Sequence, residues 1–177
     1  MRGTTMMLGM TILATAMTAR PAQAQTSLDD LEMAHVAVVA SQIDISYAHL
    51  ALALSTTPAI RQFAQTMIRD HEAVNQQVAA LAARLRVMAK DNSMSQSLLA
   101  GASSQIDRLS RLRGAEFDQA YIRNELEYHR TVNGAVANQF IPAIQNPEVK
   151  QAFQGALTIF RGHEKHAEDL VRSLGGR

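Results

Sequence analysis

Apolar residues recur at alternating steps of four and three through two long stretches of this chain. Ile60, Ala64, Met67, His71, Val74, Val78, Leu81, Leu85 and Met88 make the first. Val149, Phe153, Ala156, Phe160, His163, Ala167, Leu170 and Leu174 make the second. That period is the seam of a bundle helix, and in each stretch a histidine occupies a seam position. Both stretches open alike, at Thr57-Pro58-Ala59-Ile60-Arg61-Gln62 and at Asn146-Pro147-Glu148-Val149-Lys150-Gln151. A capping residue precedes a proline at the first helical position, where its missing N–H costs nothing. They lead to Arg69-Asp70-His71-Glu72 and Arg161-Gly162-His163-Glu164. The step from proline to histidine is 13 residues in one and 16 in the other, so the parallel suggests duplication without strict register.

Two further helices follow from the pattern. The first is predicted from Ser27, with Asp30 completing a weak capping box, to about Leu54. Its stripe is Leu31, Val38, Ile45 and Leu52. Beside it runs a line of small residues, Ala34, Ala37, Ser41, Ala48 and Ala51, with Asp44 in its middle. The turn at Ser55–Thr57 is short, so the next helix should return antiparallel. The third helix is predicted from about Ala115 to Phe140, with Phe117, Tyr121, Ile122, Val132, Val136 and Phe140 inward and Pro142 ending it. Gly175-Gly176 should stop the fourth. Between helices two and three lie a polar, Ser-rich connection over Ala89–Ser104, a short helix over Gln105–Arg113, and Gly114. A tight reversal needs no such length, so one long crossover is expected. Strand signals are nearly absent. The fold class is all-α: an antiparallel four-helix bundle with a long connection between helices two and three.

Residues 1–24 read differently from the rest. Arg2, an apolar run from Met6 to Met17, and Ala22-Gln23-Ala24 have the order of a secretory signal peptide, and the run is too short to span a bilayer. Cleavage near Gln25 leaves one domain over residues 25–177, exported to the periplasm or secreted, with no integral membrane segment. Arg2 and Arg20 leave with the leader, so 15 Lys and Arg face 16 Asp and Glu, a net charge of −1. That balance offers no footprint for nucleic acid. Five of the nine methionines also leave, so no Met-rich copper surface remains. The chain has no cysteine, which excludes disulfides and a lipid anchor on cysteine, and no tryptophan, so the core must be aliphatic.

The run Asp44-Ile45 through Thr57-Pro58-Ala59-Ile60-Arg61-Gln62-Phe63-Ala64 to Met67-Ile68-Arg69-Asp70-His71 resembles an exported bacterial family known as domain of unknown function 4142. Phe117-Asp118-Gln119-Ala120-Tyr121, His129 and His163 fit the same pattern, and the resemblance covers about Leu28 to Leu174. It implies a ferritin-like bundle and no particular activity. Where the family usually has Glu-Val in the first helix, this chain has Asp44-Ile45, a shorter carboxylate.

Ferritin-like di-metal sites take a Glu from each of two helices and a Glu-x-x-His from each of the others. Here the residue three before His71 is Ile68, before His129 it is Leu126, and before His163 it is Phe160; only His166 has a ligand type there, His163 itself. The inward set is Asp44, His71, Glu125 or His129, and His163. Asp44, His71, His129 and His163 together suit a single Zn, Fe, Mn or Cu ion. The plainer expectation is that the seam histidines are core residues satisfied by hydrogen bonds, with Asp44 and Asp70 as partners. Tyr121 and Tyr128 are read as core aromatics rather than redox groups. No nucleophile–His–acid spacing or phosphate loop stands out.

The preferred reading is a binding or stress-associated bundle without catalysis. One rival is a metal-dependent redox protein using the four candidate ligands. Another is an envelope interaction protein that uses a polar line on the first helix, His35, Gln42 and His49, to form homo-oligomers.

Overall fold

The computed structural model describes residues 28–175. The signal-peptide expectation and the Ser27 cap therefore lie outside the described residues. Six helices follow in order: α1 (Asp30–Leu54), α2 (Pro58–Leu85), α3 (Ser93–Leu109), α4 (Gly114–Ala135), α5 (Ile141–Ala143) and α6 (Pro147–Gly175). A π-helical turn, Val136–Phe140, joins α4 to α5. No strand occurs among the described residues.

Contacts at the helix ends set the direction of each. The Thr57 hydroxyl, before α2, donates to the Asp118 carboxylate near the start of α4. The Asp30 carboxylate, opening α1, accepts the N–H groups of Gln145 and Asn146 at 3.0 and 2.7 Å. Thus α4 starts beside the start of α2 and runs antiparallel to α1, and α6 returns parallel to α1. The crossover that this order requires is α3. Its lower end is tied to the start of α1 by Lys90 N–H to the Leu31 carbonyl at 3.0 Å and the Asn92 amide to the Glu32 carbonyl at 3.1 Å. It climbs along α1, and Gly114, at φ 54°, makes the sharp entry into α4 that a side chain would resist.

Several boundaries differ from those read in the sequence. Asp29 caps α1: its side chain accepts from Leu31 and Glu32 N–H while Glu32 reaches back to Asp29 N–H. The Ser-rich connection is helical from Ser93, not from Gln105, with Asn92 and Ser95 forming a capping box. Serine lowers helix propensity by competing for backbone groups, but here Ser97 and Ser104 bond carbonyls four residues back inside the helix. Pro142 does not end the third long helix at Phe140. The chain widens into the π turn, Ile141 N–H bonds the Val136 carbonyl, and helix resumes through Pro142 to Ala143. The wider turn accommodates a proline that has no N–H to give. Asn146 caps α6 as expected, whereas Thr57 makes no side-chain cap.

The buried side of α1 also differs. Leu31, Val38, Ile45 and Leu52 are half-buried, as are Ala34 and Ala37 of the small line, while Met33, Val36, Ile43, Tyr47 and the rest of that line, Ser41, Asp44, Ala48 and Ala51, are buried. Because α2, α3 and α4 all pack on α1, it is apolar nearly all round, and no single stripe stands out. That composition makes α1 long and apolar enough to cross a membrane, yet half of the stretch is buried inside the bundle. The seam of α2 ends at Leu85, and Met88 lies beyond the helix, 85% exposed.

The interior divides into two apolar clusters. One is built around Ile43, Tyr47, Phe63, Met67, Phe117 and Tyr121. The other is built around Met33, Val36, Val136, Phe140, Phe153 and Leu157. Between them the four long helices contribute a polar layer.

Candidate metal centre

Asp44 from α1, His71 from α2, Glu125 and His129 from α4, and His163 from α6 are all buried in that layer. All four sequence-selected ligands meet there. Glu125 joins them rather than replacing His129: residues four apart share a helix face, and the two differ by one turn. The rings of His71, His129 and His163 form a near-equilateral triangle, with centroids 5.4 to 5.8 Å apart. One nitrogen from each lies within 4.8 Å of the others, and ligand atoms of Asp44, Glu125 and His129 form a second set within the same limit.

Each imidazole is anchored through one nitrogen. Nδ1 of His71 is 3.0 Å from the Ser41 hydroxyl. Nδ1 of His129 is 3.0 Å from the Glu125 carbonyl, which takes its proton in the tautomer these partners select. Nε2 of His163 is 3.0 Å from the Asp70 carboxylate. The opposite nitrogens, Nε2 of His71, Nε2 of His129 and Nδ1 of His163, are buried with no hydrogen-bond partner. So are both carboxylate oxygens of Asp44 and of Glu125. Asp44 Oδ2 does approach His71 Nε2 at 3.0 Å, as an ion pair. Asp70 was expected as a histidine partner, and it serves His163 rather than the adjacent His71. The Ser41 hydroxyl was missed: at small-residue positions serine reads as room for a neighbouring helix, though it stands three residues before Asp44 on the same face.

Charge is unevenly divided in this layer. Burial pushes the Asp44 carboxyl up, but His71 beside it and His129 outweigh that, holding it well below the usual carboxylate range. Glu125 goes the other way, raised well above its ordinary value by burial and by the Asp44 charge. The two acids therefore carry one negative charge between them. Burial lowers His129, only partly opposed by Asp44. It also lowers His163 to about 4, against the pull of Asp70. Both rings are neutral near pH 7, the form that ligates metal.

The surroundings are aromatic. Phe160 stacks on His71 at 4.3 Å between centroids, with planes 9° apart. Tyr121 stacks on Phe117, and burial with the nearby Glu125 and Asp44 raises its hydroxyl well above the ordinary value. Tyr128 donates to the Ala40 carbonyl at 2.9 Å. Both tyrosines are core aromatics held as phenols. His166 lies outside the centre, exposed, with its ring edge against Phe63. On the α1 line, His35 approaches Asp91 at 3.6 Å, while Gln42 and His49 face solvent.

The model of the family described as "Domain of unknown function (DUF4142)" matches residues 15–170, and the chain belongs to that family. No curated protein and no solved structure matches it.

Proposed function

We propose that this is an exported metal-binding bundle, which holds one divalent first-row ion, Zn, Fe or Mn, in the layer between its two apolar clusters. His71, His129 and His163 supply nitrogen, Asp44 supplies oxygen, and Glu125 stands by as a further oxygen ligand. A mixed imidazole–carboxylate set of this kind suits those ions.

One observation carries the reading. Each of the three rings has one nitrogen tied to an outer partner and the other buried in the layer, where only that of His71 meets a further group, Asp44 Oδ2 at 3.0 Å. Metal-ligating histidines have this pattern, in which an outer hydrogen bond fixes tautomer and ring orientation. Hydrogen bonding accounts for only half of the His129 and His163 rings. Buried polar atoms are rarely left without a partner, and here five sit in one layer beside the Asp44–His71 ion pair. A cation would satisfy them and balance the Asp44 charge. Such an ion would supply Lewis acidity or, if iron or manganese, one-electron chemistry. Export rests on the leader at residues 1–24.

Elemental analysis of protein taken from its native compartment tests this, together with melts in EDTA and in added Zn, Fe or Mn. The expected result is stoichiometric metal that disappears in His71→Ala and in His163→Ala. A hundredfold excess of free ion over Kd should stabilise the native chain by about 2.7 kcal/mol. Metal-free protein whose melting is indifferent to all three ions would overturn the proposal.

A further inference from the structure

A second feature adjoins the polar layer and does not depend on a bound metal. Below His71 the four long helices part around a cavity with about 90 Å³ of space in which the centre of a water-sized sphere fits. Its walls include Val38, Val78, Leu81, Ala156 and Leu157. His71, Tyr128 and His129 line one end of it, and Leu31, Leu85 and Val87 line the other. Along α2, His71 to Leu85 spans about 20 Å at 1.5 Å per residue. So small a volume spread over that length is a narrow bore, not a chamber. The cavity also explains why Val78, Leu81 and Leu85 keep the seam period yet remain only half-buried.

The mouth has its own chemistry. Asp30, at the rim, is engaged with the N–H groups of Gln145 and Asn146, and Glu148 pairs with Arg84. Lys90 is held by Asp29 and Glu32. Arg86 and Lys150, which flank the lining residues Leu85, Val87 and Val149, make no ion pair among the described residues. Met88, one step further, is exposed. An apolar bore whose lining residues at this end adjoin two unpaired cations in sequence is complementary to one class of ligand.

We propose that this bore binds a single-chain amphiphile with an anionic head, a long-chain carboxylate. Its tail lies between α1, α2, α4 and α6 and points at His71 and His129, and its head sits beside Arg86 and Lys150. An unbranched tail suits the long, narrow shape, whereas a compact apolar molecule would leave most of the length unfilled. The carboxylate remains at the wet end, away from Asp44 and Glu125.

Calorimetry and native mass spectrometry of the delipidated full chain, with dodecanoate below its micelle concentration, dodecanol and benzene, test the proposal. One dodecanoate per chain is expected. Ala156→Phe, which fills the bore, should weaken it by about tenfold or more, a change of at least about 1.4 kcal/mol. Arg86→Glu with Lys150→Glu should weaken dodecanoate severalfold and leave dodecanol unchanged. In the unaltered protein the imidazole proton resonances of His71 and His129 should move with dodecanoate while that of exposed His49 stays, a readout that survives any misfolding of the variants. No dodecanoate bound, benzene bound in its place, equal binding by Ala156→Phe, or unmoved His71 and His129 signals would each overturn the proposal. Equal loss of both ligands on charge reversal would overturn the placement of the head.

Discussion

Asp70 holds His163, not the histidine beside it in the chain: its Oδ2 lies 3.0 Å from His163 Nε2, 93 residues away. Arg69 steadies the same carboxylate at 2.7 Å from Oδ1. Adjacent residues on a helix point about 100° apart, so His71 turns into the core while Asp70 turns toward α6. The carboxylate thereby orients His163 and leaves its Nδ1 aimed inward.

Removing that orienting partner has a defined consequence. Asp70→Ala should lower metal affinity by about 10–100-fold while keeping the metal stoichiometry. Competition titration against a chelator of known affinity reads the change. An unaltered Kd would mean that the Asp70–His163 contact has no part in ligation.

Acid sensitivity follows from His163. Its folded value, about 4, lies below the ordinary 6.5 because the ring is buried. Between these values the unfolded chain binds more protons, so stability rises with pH across the window and is lost as pH falls from 6.5 toward 4. In EDTA-treated protein this group should account for a loss of about 2–3 kcal/mol. Chemical melts of that protein and of His163→Gln, taken across the window, should show a shallower slope in the variant. Identical slopes would assign the acid loss elsewhere.

The core has an equally specific test. Phe63 is fully buried against Tyr121, and Phe63→Ala should cost about 3–5 kcal/mol. Its exposed neighbour Gln62→Ala should stay within about 0.5 kcal/mol. Leu81→Ala, at a seam position that lines the cavity, should fall between them. Guanidinium melts that rank Leu81 above Phe63 would contradict the placement of the cavity.

Arg86 ends α2 in the left-handed region, at φ 55°, where its N–H and that of Val87 reach back to the Ala83 and Ala82 carbonyls. Glycine adopts that conformation without the side-chain clash. Arg86→Gly should therefore raise stability by about 1 kcal/mol, seen as a higher denaturant midpoint at constant slope. A lower midpoint would show that the arginine side chain contributes more than its backbone strain costs.

The alternation of four and three along α2 and α6, with Pro58 and Asn146-Pro147 at their starts, determined those helices and put His71 and His163 on the inner face. These are local properties, because a helix carries its period and its cap within a few residues of sequence. The length between α2 and α4 likewise determined that the chain crosses the bundle once.

Tertiary structure alone decided which residues meet. It brought Glu125 in beside His129, gave Ser41 to His71 and gave Asp70 to His163, all through contacts between separate helices or turns. It made α3 helical from Ser93, because packing on α1 outweighs the weak propensity of serine. It turned the lower α2 seam from packed core into the wall of a bore, since whether facing apolar stripes close or stand apart depends on the side chains of all the helices together. Periodicity names the face that a helix buries; the partners on that face, and the space left among them, arise only when the helices are assembled.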